Sequence, residues 1–107
     1  MIIADAREKA VFQPDKMGKS GLAQGDHLYA GLNAFEPGQE HAAHIHADQD
    51  KLYTVLQGVA VVTLDGEAAQ VGPGGVVLAK AGVPHGVRNP GPERLIVLVV
   101  FSPPPKR

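Results

Sequence analysis

The chain has 107 residues, 44% of them hydrophobic and 20% charged, with a formal net charge of −1. That length suits one domain and is short for two, and scattered basic residues without interleaved aromatics argue against nucleic-acid binding. The absence of cysteine excludes disulfides and thiolate metal centres, so any metal must take nitrogen and oxygen ligands.

Met1 to Asp5 carries no basic segment ahead of an apolar run, so no signal peptide is read there and a cytoplasmic location is expected. Ala4 to Lys9 begins like a short helix, but Val11-Phe12 and then Pro14 end it, leaving an irregular arm or first strand. Leu28 to Phe35 alternates loosely and stops at the turn Glu36-Pro37-Gly38. Gln39 to His46 reads as a strand, followed by polar Asp48-Gln49-Asp50. Leu52 to Gln57 and Val59 to Leu64 are strands separated by Gly58. Asp65-Gly66 marks a two-residue hairpin, because both positions tolerate positive φ, and Glu67 to Val71 returns. Gly72-Pro73-Gly74-Gly75 turns into Val76 to Ala79, and Gly82-Val83-Pro84 leads into His85 to Asn89. Pro90-Gly91-Pro92 turns into Arg94 to Phe101. The Pro-rich tail from Ser102, 103–107 above all, is expected to fray.

Short strands with turns between them predict an all-β sandwich or barrel. No apolar stretch has membrane-spanning length. The last strand, Leu95 to Phe101, is apolar on both faces, so either other elements cover both or one face is buried in a dimer.

Three of the five histidines lie in Glu40-His41-Ala42-Ala43-His44-Ile45-His46. Residues two apart on a strand share a face, roughly 7 Å apart along it. His44 and His46 therefore project together. Imidazole suits several divalent metals, and His85, opening a strand after a Gly-Val-Pro turn, is the natural third ligand. Three histidines leave coordination positions open for water or substrate. His41 has the opposite parity and is expected to face outward. Glu40 has the same parity as His44 and His46 if the strand is regular.

The spacing around these histidines resembles the cupin family. The family's first motif has a glycine, five residues, His-x-His, a spacer, a glutamate, six residues and a glycine; here stand Gly38, His44, His46 and Gly58 in register. Its second motif has a glycine, five residues, Pro-x-Gly, two residues, a histidine, three residues and an asparagine; here stand Gly74, Gly82, His85 and Asn89, with Lys80 in place of the proline. The resemblance covers 38–89 and implies a double-stranded β-helix, a jelly-roll-like barrel with both motifs lining one cavity. It also implies that His44, His46 and His85 bind one divalent ion (iron, manganese, nickel, cobalt or zinc), that a small molecule is the ligand, and that the protein is a homodimer. Asn89 is expected to cap a turn.

The chain departs from the family at Lys51, which stands where the ligating glutamate usually does. A lysine ammonium repels a divalent ion instead of binding it. Gln49, which shares its parity, is the candidate fourth ligand, with Asp50 and Glu40 as alternatives. Lys51 and Tyr53 become candidate catalytic residues. Two functions follow: a metal-dependent enzyme acting on a small molecule by dioxygenase-, isomerase-, decarboxylase- or cyclase-like chemistry, or a non-catalytic module that binds or senses a small ligand.

Overall fold

A computed structural model describes residues 1–105. Nine strands form two antiparallel sheets: β1 (Gly18–Gln24), β2 (Tyr29–Phe35), β3 (Glu40–His44), β4 (Asp50–Gln57), β5 (Ala60–Leu64), β6 (Glu67–Val71), β7 (Val76–Ala79), β8 (His85–Arg88) and β9 (Leu95–Ser102). One sheet has the order β1-β2-β9-β4-β7, the other β3-β8-β5-β6. This is the all-β double-stranded β-helix that the sequence predicts.

The predicted turns hold for stated physical reasons. Asp65 and Gly66 both have positive φ, 50° and 84°, which gives the β5–β6 hairpin the twist of its strands. Gly58 has φ of +81°, and a Cβ there would collide with the Arg94 carbonyl, so the crossing of β4's end over the start of β9 requires glycine. Asn89, 1% exposed, clasps the loop before β9. Its amide donates to Phe35 O at 3.0 Å and Glu93 O at 2.8 Å, and its Oδ1 accepts from Gly91 N at 2.9 Å. It is a turn residue, as expected.

Side chains from both sheets, among them Phe35, Tyr53, Val55, Val62, Val87, Leu95 and Val97, interdigitate as one core. β9 lies between β2 and β4. Its inward residues Leu95, Val97 and Val99 are buried; on the other face Ile96 is buried as well, and Leu98 and Val100 are half-buried. Strand β1 was not predicted, because Gly-Lys-Ser-Gly-Leu-Ala-Gln has no apolar alternation. It forms because the edge of β2 offers a full row of partners, from Gly18↔Ala34 to Gln24↔Tyr29. Ala6–Lys9 form a single 3-10 turn capped by Asp5, whose carboxylate accepts from Arg7 N. Ser20 Oγ holds the arm by donating to Lys9 O at 3.0 Å. Pro103 and Pro105 of the tail lie beside the barrel mouth, Pro103 O accepting from Gln49 Nε2 at 3.0 Å and Pro105 lining a cavity. Residues 106–107 lie outside the described residues. Among the described residues no helix is long and apolar enough to cross a membrane.

Candidate metal centre

β3 pairs with β8 through His41↔Val87 and His44↔His85. Three steps along β3 match two along β8, so β3 carries an extra residue, a β-bulge. Past the bulge His44 lies directly across from His85, and their ring centroids are 4.3 Å apart. His46 follows in the loop after β3, its backbone held by Gly82 N donating to His46 O at 2.9 Å. Its ring centroid is 4.8 Å from that of His44 and 5.4 Å from that of His85. One ring nitrogen from each of the three lies within 4.8 Å of the others. The three predicted ligands therefore meet at one point.

Second contacts orient two of these rings. His44 Nδ1 donates to Ala42 O and His85 Nδ1 to Val83 O, each at 2.8 Å. A carbonyl oxygen can only accept, so Nδ1 carries the proton and Nε2 presents a lone pair. His85 is 1% exposed, and among the described residues its Nε2 has no hydrogen-bond partner. A buried acceptor left in that state costs about 1–3 kcal/mol. A divalent ion would satisfy it, and neutral imidazoles are the donor set such an ion takes. Burial holds all three rings below the usual imidazole range, His46 at about 4, with Lys51 adding repulsion to each. Each is thus held in the neutral form that ligates.

The bulge corrects two sequence-based expectations. His41 does not face outward. The extra residue restores it to the inner face, where its ring stacks on His44 at 4.1 Å and lines the central cavity. Desolvation lowers its pKa to about 3, and its Nδ1 is buried without a partner. Glu40, expected beside His44 and His46, is displaced by the same bulge to the exposed side, opposite Arg88.

The other candidate oxygen ligands also lie elsewhere. Gln49 lies in a separate depression against the tail. Asp50 Oδ1 accepts from Ala81 N at 2.9 Å. Among the described residues no carboxylate joins the histidine cluster.

Lys51 enters the site from β4 and is 2% exposed. Its Nζ lies 3.4 Å from His44 Nε2 and 4.9 Å from the ring centres of both Tyr53 and Phe101. Burial lowers its pKa to about 8, with Lys19 contributing. Tyr53 packs beneath the site, its ring 6.0 Å from that of His85. It does not line the cavity. Among the described residues its hydroxyl has no partner, and burial pushes its pKa up. Lys80, at the second-motif proline position, is exposed.

His44 and His46, but not the buried His85, open on a cavity of about 540 Å³, within the range of small-molecule sites. Lys19, Tyr29, Asn33 and His41 also line it. Sequence reasoning missed all four. The signal for His41 was its place in the histidine cluster; for Lys19 there was none, since its strand went unrecognised.

Over residues 31–101 the sequence matches the cupin domain. The chain belongs to the cupin family. This cupin is 43% identical over 77 residues to an uncharacterized protein of Streptomyces coelicolor, covering 72% of this chain and 71% of the relative. Its fold matches the crystal structure of a Thermus thermophilus protein with a TM-score of 0.92 at 39% identity, over 98% of this chain and 100% of that one. A double-stranded β-helix protein from Klebsiella pneumoniae matches with a TM-score of 0.86 at 27% identity, over 94% of this chain and 89% of the other.

Proposed function

We propose that this cupin binds one divalent metal ion through His44, His46 and His85 and acts on a small organic molecule in the adjoining cavity. The observation that carries the reading is the convergence of three neutral imidazoles, with the buried His85 Nε2 lacking any other partner. A bound ion would act as a Lewis acid on a substrate oxygen or would activate water. The chain's own residues supply the rest. Ala42 O and Val83 O hold two rings in the ligating tautomer. Val99 and Phe101 exclude water from one wall. Lys51 directs its ammonium toward the space where ligand would meet ion, and the Tyr53 ring lies 4.9 Å from that ammonium.

Metal analysis of protein purified without an affinity tag tests the reading. After incubation with iron, manganese, nickel, cobalt or zinc, about one ion per chain is expected, and His44→Ala or His85→Ala should lose most of it. Wild-type protein that retains no ion overturns the reading. A second reading, a non-catalytic module that binds or senses a ligand, is favoured by Lys51 alone, since it stands where the family's usual carboxylate ligand would. Metal and ligand binding without turnover or oxygen consumption would select it.

A further inference from the structure

Among the described residues no acidic group balances the charge of Lys51. Its ammonium is buried, and its polar contact is a neutral imidazole nitrogen at 3.4 Å. The ion pairs among the described residues, Arg7–Asp5 and Arg94–Glu36, involve neither Lys51 nor Lys19. Among the described residues no aspartate or glutamate lines the cavity, and the charged lining is Lys19 and Lys51 beside neutral histidines. A buried ammonium without an anion is costly, because the aromatic faces and one imidazole return only part of its lost hydration. A divalent ion on three neutral imidazoles would add further uncompensated positive charge to the same space.

We propose that the ligand of this cavity is a small organic carboxylate, its anionic group received between Lys51 and Lys19 and its apolar body resting on Val99 and Phe101. The inference rests on the cavity being the ligand site proposed above, and it names the class of ligand. The polar lining fits that class. Tyr29 and Asn33 offer neutral donors beside the lysines. Among the described residues the lining has neither an arginine fork nor a helix N-terminus, the devices that usually hold a phosphate dianion. A carboxylate with an apolar body suits two point-charge ammoniums next to an aromatic wall.

Isothermal titration of EDTA-dialysed protein with benzoate and with its neutral analogue benzamide tests the proposal. Benzoate should bind at least about tenfold tighter than benzamide, as expected for a charge-assisted contact in a desolvated site. Lys51→Met should abolish the preference. Lys19→Ala, at an exposed position, should reduce it roughly threefold. Equal affinity for the two probes, or a preference unchanged in both variants, overturns the proposal. So does displacement of benzoate by inorganic phosphate at lower concentration than by acetate. Zinc uptake measured on the same preparation separates the two readings. Zinc binding without benzoate preference defeats the carboxylate inference alone. Benzoate preference without zinc uptake upholds it and defeats the metal reading alone.

Discussion

Lys51 Nζ lies 3.4 Å from His44 Nε2, so a cation stands at the edge of a cluster of metal-binding nitrogens. Replacing it with the family's usual carboxylate should strengthen metal binding. At about 4 Å and an effective dielectric of about 20, one unit charge is worth about 4 kcal/mol, and Lys51→Glu reverses the sign. Zinc affinity of Lys51→Glu, measured by competition with a chromogenic chelator, is expected to rise by at least about tenfold, even if relaxation absorbs most of that energy. Weaker binding would mean that the lysine helps to hold the ion or its counter-anion.

Gly86 faces the bulge in β3. A Cβ at this position would come within 3.0 Å of Ala43 N and 3.1 Å of His41 O, both backbone atoms. Gly86→Ala should force the bulge apart and pull His44 out of line with His85. We expect a loss of about 1–3 kcal/mol in urea denaturation, as for other overpacked sites, together with weakened zinc binding. Stability lost with zinc affinity intact would show that the bulge does not set the ligand geometry.

Tyr53 holds a buried hydroxyl without a partner. Removing such a group relieves a desolvation penalty, so Tyr53→Phe should leave stability unchanged or raise it by up to about 1 kcal/mol. Because Tyr53 does not line the cavity, ligand affinity in this variant should match the wild type. A marked drop in affinity or turnover would place its hydroxyl in contact with ligand and restore it as a catalytic residue.

The metal-free protein should lose stability in mild acid. Burial first, then neighbouring charge, lowers His41 to about 3 and His46 to about 4, both from 6.5. The folded values lie below the unfolded one, so the unfolded chain takes up protons first as pH falls. Stability is therefore full above 6.5 and declines as pH drops toward 4. Urea midpoints across this range should fall in the wild type and fall less in His41→Asn. A flat wild-type profile would mean that the rings protonate in place.

The outward face beside β7 should pair with a second copy. Val76 and Leu78 on this edge strand are 60% and 48% exposed. Leu78 is in register with Leu52, which is in register with Val100, so the apolar row continues to β9. Light scattering should report a dimer, and Leu78→Lys should shift it toward monomer. A monomeric wild type at micromolar concentration would sink this expectation.

Much of the barrel was legible because its signals are local. Loose alternation marked β2, and Asp65-Gly66 and Gly58 marked backbone positions that few residues tolerate. His44, His46 and His85 were legible because two share a short segment and the third follows a Gly-Val-Pro turn. Strand β1 left no such mark. Its pairing with β2 comes from an edge offered by the rest of the sheet, and Lys19 reaches the cavity only through that pairing.

The sequence by itself determined the strand-rich architecture, the three converging imidazoles and the substitution of a cation for a carboxylate at residue 51. Only the tertiary structure decided that His41 turns inward, that Glu40 turns outward, and that among the described residues no acidic side chain comes to balance Lys51. The reason is that side-chain parity runs along one strand, whereas a bulge is a mismatch between two. One extra residue in β3 across from Gly86 reverses the face of everything before it, and nothing within the segment itself announces where that residue will fall.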